Sequence, residues 1–161
     1  MSMKKFFEHW DEVQDITLKV INQIPEDKLD FKPVPEVFSI KELVLHIFDC
    51  EKAFVEGAVQ GELKMEQFVA PDHSGFKTVK DLHDYAKAVH EELDAKIASK
   101  SDEELMQIVK TPWGDMPVFV HMNGAYEHMW HHRGQLYTYL RLVGVKPVFV
   151  FAYPGIPVIE A

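Results

Sequence analysis

The spacing of apolar residues constrains the fold of this chain more than any other feature of its sequence. Over residues 4–24 the apolar side chains recur at alternating intervals of three and four, which is the repeat of one face of an α-helix. Similar patterns predict helices over residues 39–59 and 78–100, and we interpret residues 117–143 as a fourth helix. Four long helices with little strand signal predict an all-α fold, a four-helix bundle.

The connections between these helices have distinct signals of their own. Three prolines make residues 25–38 an extended connection, and residues 62–77 have no sustained period and are predicted to form a loop with a helical turn near Met65. Residues 106–117 are predicted to form a small hairpin or irregular loop before the last helix. The apolar tail, residues 148–161, is expected to pack along the bundle or into a neighbouring subunit.

Length and charge limit the classes of partner. A chain of 161 residues is the size of one domain, so we expect a single domain over residues 1–161. The net charge of −9 disfavours phosphate backbones and anionic lipid surfaces, so we expect neither nucleic acid nor membrane as a partner. Cys50 is the single cysteine, and no apolar signal segment or run of eighteen apolar residues is present. These features are typical of a cytoplasmic protein.

Histidines on two of the predicted helices have the spacing of metal ligands. His128 and His132 are four residues apart in the last helix, so they share one face and lie within reach of one ion. His46 borders the apolar face of the second helix, where an unpaired imidazole would be costly, and we expect it to be the third ligand. Three imidazoles would leave a coordination position open, which is typical of catalytic metal.

Several neighbouring residues could approach such a site. Cys50 follows His46 by one turn but is predicted to be a small buried hydrophobe. His131 is expected at the surface or behind the ligands, and His73 in an exposed loop. We expect His121 to be too distant along the helix. The remaining histidines are assigned to exposed faces: His9, His83 and His90.

Two residues after the ligands suggest supporting roles. Arg133 could anchor an anionic substrate or form an ion pair with Glu127 or Glu51. The amide of Gln135 could accept a hydrogen bond from a ligating imidazole. Large apolar side chains are expected around the mouth of the site, consistent with either a hydrophobic substrate or a closed pocket: Phe48, Phe68, Met129 and Trp130.

Two segments together resemble a known family. The segment His128-x-x-x-His132-Arg133-Gly134-Gln135 is similar to the last helix of the DinB/YfiT-like family of metal-binding four-helix bundles, and Ser39-Ile40-x-Glu42-Leu43-x-x-His46-Ile47 is similar to the start of its second helix. By this resemblance His46, His128 and His132 match the metal ligands. The resemblance also implies a divalent ion, often Zn or Ni, frequent homodimers, and in some members transfer of a low-molecular-weight thiol such as bacillithiol.

The sequence leaves three functions open. The resemblance favours a metal-dependent thiol S-transferase acting on a small-molecule substrate. Water in place of the thiol would make the protein a metal-dependent hydrolase. The third possibility is a non-catalytic, metal-stabilised stress or damage-inducible interaction module. Aromatic residues in the first helix and the tail, together with the family habit, predict a homodimer.

Overall fold

Four α-helices account for most of the protein. The computed structural model describes residues 3–155, and the side chains of residues 8–155. The helices are α1 (Met3–Ile21), α2 (Ile40–Gln60), α3 (Val79–Ala98) and α4 (Val118–Leu142). Three short 3₁₀ helices (Glu26–Lys28, Met65–Phe68, Glu104–Met106) and two strands, β1 (Ile108–Val109) and β2 (Met116–Pro117), lie in the connections. The predicted all-α four-helix fold is confirmed.

Local sequence signals define most helix ends. Ser39 caps α2 in a capping box with Glu42, and Gly61 ends that helix with a left-handed φ of 77°. Thr78 caps α3 in the same way with Asp81. The predicted end of the first helix is three residues too late, since α1 ends at Ile21. The backbone N–H of Ile24 donates to the carbonyl of Ile21 in a tighter turn, so the apolar spacing continues beyond the end of the α-helix.

The hairpin before α4 is small but well anchored. Strands β1 and β2 are antiparallel, with Ile108 opposite Pro117. The backbone N–H of Lys110 donates to the carbonyl of Gly61, and Leu63 N–H donates to the carbonyl of Lys110, so the hairpin also holds the start of the loop after α2. The predicted hairpin and the helical turn near Met65 are both confirmed.

The core lies between the four helices, with α2 packed against both α3 and α4. The apolar face of α2 is buried at Leu43 and Ile47, and Phe54 further along it is partly buried. The start of the tail packs on this core through Val148 and Val150, and Val148 N–H donates to Gln23 of the turn after α1. The predicted packing of the tail is therefore confirmed as far as residue 155, and its end lies outside the described residues.

Within residues 3–155, no helix combines the length and the apolar content that crossing a bilayer requires.

Candidate metal centre

Three histidines converge where α2 faces α4. His128 and His132 lie one turn apart on α4, and His46 on α2 points between them. One ring nitrogen from each lies within 4.8 Å of the other two. The closest pair is His46 Nε2 and His128 Nε2, which are 3.2 Å apart. The sequence prediction thus named the three side chains that come together.

The spacing of these nitrogens fits a divalent ion. Nitrogens bound tetrahedrally at about 2.0–2.1 Å from a metal would lie about 3.4 Å from one another. The separation of 3.2 Å between His46 and His128 is close to that value, and the other nitrogen pairs of the set lie within 4.8 Å. No second group of this kind occurs among the described residues.

The protonation state of the cluster also suits ligation. The pKa of His128 is lowered to about 3, mostly by burial and in part by the neighbouring His132, His46 and His131. Burial likewise lowers the pKa of His46 and of His132 from the usual 6.5. At neutral pH all three imidazoles are therefore uncharged, which is the form that binds a metal.

Two side chains contact the outer nitrogens of these rings. Gln135 Oε1 lies 2.8 Å from His132 Nδ1, so the amide oxygen can accept that N–H and leave Nε2 free, as predicted. Cys50 Sγ lies 3.6 Å from His46 Nδ1. Burial raises the pKa of the Cys50 thiol to about 12, and its sulfur is outside the three-nitrogen group. The prediction that Cys50 is a small buried residue is confirmed.

The other two histidines of α4 are not part of the three-nitrogen group, although the His131 ring lies 4.8 Å from the His132 ring, centre to centre. His131 is exposed and contacts the amide nitrogen of Gln135 at 3.4 Å. His121 is buried and its Nε2 lies 2.8 Å from the carbonyl oxygen of Phe54 on α2. Both positions agree with the sequence prediction.

Two predictions of exposed histidines are wrong. The side chain of His73 is only 17% exposed, because its Nε2 contacts Asp49 at 2.7 Å, and the same carboxylate accepts a hydrogen bond from the Tyr85 hydroxyl at 2.6 Å. His90 is 16% exposed and lies 3.3 Å from the buried carboxylate of Glu51. Each histidine faces a carboxylate on α2 that the sequence pattern of its own segment does not reveal.

Both roles predicted for Arg133 are wrong. Its side chain is 1% exposed and turned away from the cluster, towards α1. Nη1 donates to the carbonyl oxygen of Val13 at 3.0 Å, and the guanidinium carbon lies 4.0 Å from the centre of the Trp130 ring. Arg133 therefore joins α4 to α1, and neither a substrate nor Glu127 or Glu51 is its partner.

The surroundings of the cluster also differ from the prediction. Phe48 and Met129 are fully buried in the core, and Trp130 lies under Arg133, so none of them forms a mouth. Phe68 packs at the edge of Phe54, whose ring centre is 6.2 Å from that of His128.

Phe38, which the sequence pattern places at the start of the second helix and not at the metal site, is 44% exposed and lies 4.8 Å from the His46 ring, centre to centre. An open groove of about 220 Å³ reaches His132 beside it.

A second polar cluster joins three helices away from the histidine site. Glu51 of α2 is 1% exposed, and both of its oxygens accept from Gln14 Nε2 of α1, at 2.9 and 2.8 Å. His90 of α3 contacts Glu51 and, at 3.0 Å, Asp11 of α1. One sequence signal could have located this polar cluster. Glu51 lies on the apolar face of α2, four residues after Ile47, where a carboxylate requires polar partners.

A helical bundle with three inward-facing histidines on two helices defines a class of candidate metal proteins, and comparison with known proteins gives the family. The family model described as "DinB family" matches residues 1–154, so the chain belongs to the DinB family. Comparison with curated protein sequences gave no match.

Crystal structures of related proteins have the same fold. A DinB-like protein from Bacillus subtilis is 23% identical, with a TM-score of 0.75 over 89% of this chain and 95% of its own. A DinB-like protein from Bacillus cereus is 20% identical, with a TM-score of 0.77 over 93% of this chain and 98% of its own. At these identities the likeness supports the fold and not a shared reaction.

Proposed function

We propose that this DinB-family protein binds one divalent metal ion through His46, His128 and His132, and uses it as a thiol S-transferase. The observation that carries the proposal is the convergence of three uncharged imidazoles within 4.8 Å, next to a groove open to solvent. Zn and Ni are the ions we expect first, since imidazole nitrogen suits both and the family resemblance favours them.

In the proposed reaction, the sulfur of a small thiol displaces a leaving group from an electrophilic carbon. A bound metal ion supplies a Lewis acid that lowers the pKa of a thiol at the open position. The thiol loses its proton to solvent, its sulfur forms a bond to the electrophilic carbon of the second substrate, and the leaving group departs with the electrons of the broken bond. With a metal bound, a separate catalytic base would not be required, because the thiolate would be the favoured form at neutral pH.

The protein supplies the frame for this chemistry. His46 comes from α2 and the other two ligands from α4, so the packing of these helices sets the distance between the nitrogens. Gln135 holds the ring of His132 by its Nδ1. Phe38 covers the ring of His46 from the solvent side, which favours approach of a substrate along the groove at His132.

Metal content is the first test. We expect elemental analysis by plasma mass spectrometry to find about one Zn or Ni per chain in the wild type, and almost none in His46→Ala or His128→Ala. His83→Ala is the matched control, because it removes a partly exposed histidine outside the cluster. Protein that holds no metal after chelator-free purification and refilling with Zn and Ni would refute metal binding.

Activity is the second test. Metal-loaded protein is incubated with small thiols and alkylating or ester electrophiles, and loss of free thiol is followed. We expect thiol consumption by wild type and its loss in His132→Ala, and full activity of that variant would rule out the mechanism.

Two other results would assign the site differently. Ester cleavage without consumption of thiol would identify a hydrolase. A large drop in melting temperature on metal removal, with no substrate consumed, would identify a structural ion in a non-catalytic interaction module.

A further inference from the structure

The connection between α2 and α3 folds back along α2. Leu63 packs so closely on Gly57 that a Cβ at the glycine would lie 2.8–3.1 Å from its atoms. Further along the chain, the Phe68 ring packs at the edge of the Phe54 ring, with 5.2 Å between ring centres. The chain therefore returns towards the start of α2, and we call residues 64–76 of this connection the strap.

The far end of the strap reaches α2 at Asp49. His73 Nε2 lies 2.7 Å from Oδ2 of this carboxylate, and the Tyr85 hydroxyl of α3 donates to Oδ1 at 2.6 Å. Because a carboxylate can only accept hydrogen bonds, Nε2 carries the proton of the His73 ring. Both side chains of this pair are largely withdrawn from water, with His73 17% and Asp49 10% exposed.

The contact between His73 and Asp49 is the single polar contact between the strap and the four α-helices within residues 3–155. The backbone hydrogen bonds of the strap stay inside it, for example from Val69 N–H to the carbonyl of Glu66. Most of its side chains are exposed, and the exceptions are Gln67, Phe68, His73 and Phe76. A segment with so few buried contacts opens locally at a lower free energy than the whole fold.

The closed strap also leaves one polar atom unpaired. Nδ1 of His73 is buried, and no group among the described residues forms a hydrogen bond with it. In an open strap this nitrogen could bond to water, so closure has a cost that opposes the contact with Asp49. The closed and open positions are therefore closer in free energy than the contact with Asp49 alone would make them.

Cys50 lies on α2 between the two places where the strap touches that helix, Asp49 and Phe54. Its side chain is 5% exposed, and its Sγ lies 3.6 Å from His46 Nδ1. Residues at these positions share one side of a helix, so a segment that contacts Asp49 and Phe54 passes across Cys50. The groove at His132 is a different opening, since its lining comes from the connection before α2 and from α4.

We propose that the strap opens and closes over the side of α2 that carries Cys50, and that the contact between His73 and Asp49 is its latch. When the latch breaks, the strap moves away from α2 and uncovers the Cys50 thiol and the adjoining edge of the His46 ring. A small molecule then reaches the histidine cluster from this side as well as along the groove at His132. Opening requires no bound metal.

The single cysteine can report the opening. Full-length protein is kept metal-free with a chelator, and alkylation of Cys50 by N-ethylmaleimide under native conditions is followed by mass spectrometry. His73→Ala removes the latch, whereas the amide of His73→Gln can still donate to Asp49. His83→Ala is the matched control, because this ring is 25% exposed, contacts Asp84 of its own helix and lies outside the strap.

The expected changes are confined to the latch and the strap. Alkylation should be about tenfold faster in His73→Ala than in wild type, the factor that loss of one hydrogen bond to a charged group implies. His73→Gln should stay within about threefold of wild type, and His83→Ala within about twofold. Hydrogen exchange, measured by mass spectrometry, should become faster in residues 64–76 of His73→Ala and stay unchanged in α3.

Each of four results would overturn the proposal. Alkylation of His73→Ala at the wild-type rate would show that this side chain does not control access to Cys50. Equal acceleration in His73→Gln, or in His83→Ala, would show that the hydrogen bond to Asp49 is not the latch. Faster exchange in all four helices of His73→Ala would indicate general destabilisation. Since the protein is metal-free throughout, all of these outcomes are independent of whether the three histidines bind an ion.

Discussion

Replacing His90 with alanine would break the polar cluster that joins α1, α2 and α3. The His90 ring lies 3.3 Å from Glu51 and 3.0 Å from Asp11. Glu51 is 1% exposed and has two partners in this cluster, Gln14 and His90, so Gln14 alone would remain after the substitution. A buried carboxylate would thus lose the group that best offsets its desolvation.

The magnitude follows from the burial of the pair. Removing one partner of a buried charge pair costs about 3–5 kcal/mol. Here His90 is 16% exposed, so water can reach the vacated space, and Gln14 still donates to both oxygens. We therefore expect His90→Ala to lower the free energy of unfolding by about 2–3 kcal/mol, at or just below the lower end of that range. For a chain of this size that is a fall of about 5–10 °C in melting temperature.

The effect should depend on pH with a definite sign. Burial lowers the pKa of His90, but hydrogen bonds and charge interactions with Glu51 and Asp11 outweigh it, so the pKa lies above the usual 6.5. A raised folded-state pKa means that the stabilisation is complete below pH 6.5 and is lost as pH rises through the folded-state pKa. The cost of His90→Ala should therefore be larger at pH 6 than at pH 9.

The energetic coupling between His90 and Glu51 can be measured by urea unfolding of four proteins: wild type, His90→Ala, Glu51→Gln and the double variant. The double variant should lose at least about 1 kcal/mol less than the sum of the single losses, because Glu51→Gln removes the charge that His90 offsets. His83→Ala, on the same helix but not in this cluster, is the control. Additive losses, or the same cost of His90→Ala at both pH values, would refute the reasoning.

Three further predictions concern single side chains. Gln135→Leu should weaken metal binding about 10–100-fold because His132 Nδ1 loses its acceptor, and a competition titration that gives wild-type affinity would contradict this. Arg133→Met should keep metal content and activity while lowering stability by about 1–2 kcal/mol in urea, since it removes the hydrogen bond to the Val13 carbonyl and the contact of the guanidinium with the Trp130 ring. Loss of activity in folded protein would instead show that Arg133 acts at the site. Gly57→Ala should lower the free energy of unfolding, measured by thermal unfolding, by about 1–3 kcal/mol, because the added Cβ would lie 2.8–3.1 Å from side-chain and backbone atoms of Leu63. A stabilised variant would show that the gain in helix propensity exceeds this steric cost.

Helices and their starts were accessible from the sequence because they depend on local chemistry. The capping boxes at Ser39 and Thr78 involve residues only three positions apart, and both form. The burial of His73, His90 and Arg133 depends instead on which segment faces them. A pattern within α3 or α4 cannot reveal that α2 offers a carboxylate to His90, or that α1 offers a carbonyl to Arg133.

The candidate site likewise combines residues that the local sequence predicts with residues whose position depends on the folded chain. The pair on α4 was predictable because residues four apart share a helix face, and His46 because a histidine beside an apolar stripe needs a partner. Phe38 and Glu36, which shape the approach to that site, lie in a connection without a repeating pattern, so their positions follow only from the folded chain. The homodimer stays a prediction.

The ligands of the proposed site come from distant parts of the chain, and this affects when an ion can be acquired. His46 and His128 are separated by 82 positions. At about 5–20 residues per second, a ribosome would expose the first of them roughly 4–16 s before the second. The nascent chain thus passes through a period with one ligand and no pocket. On the proposed function, the metal would be selected by the finished bundle, from the ions present where folding is completed.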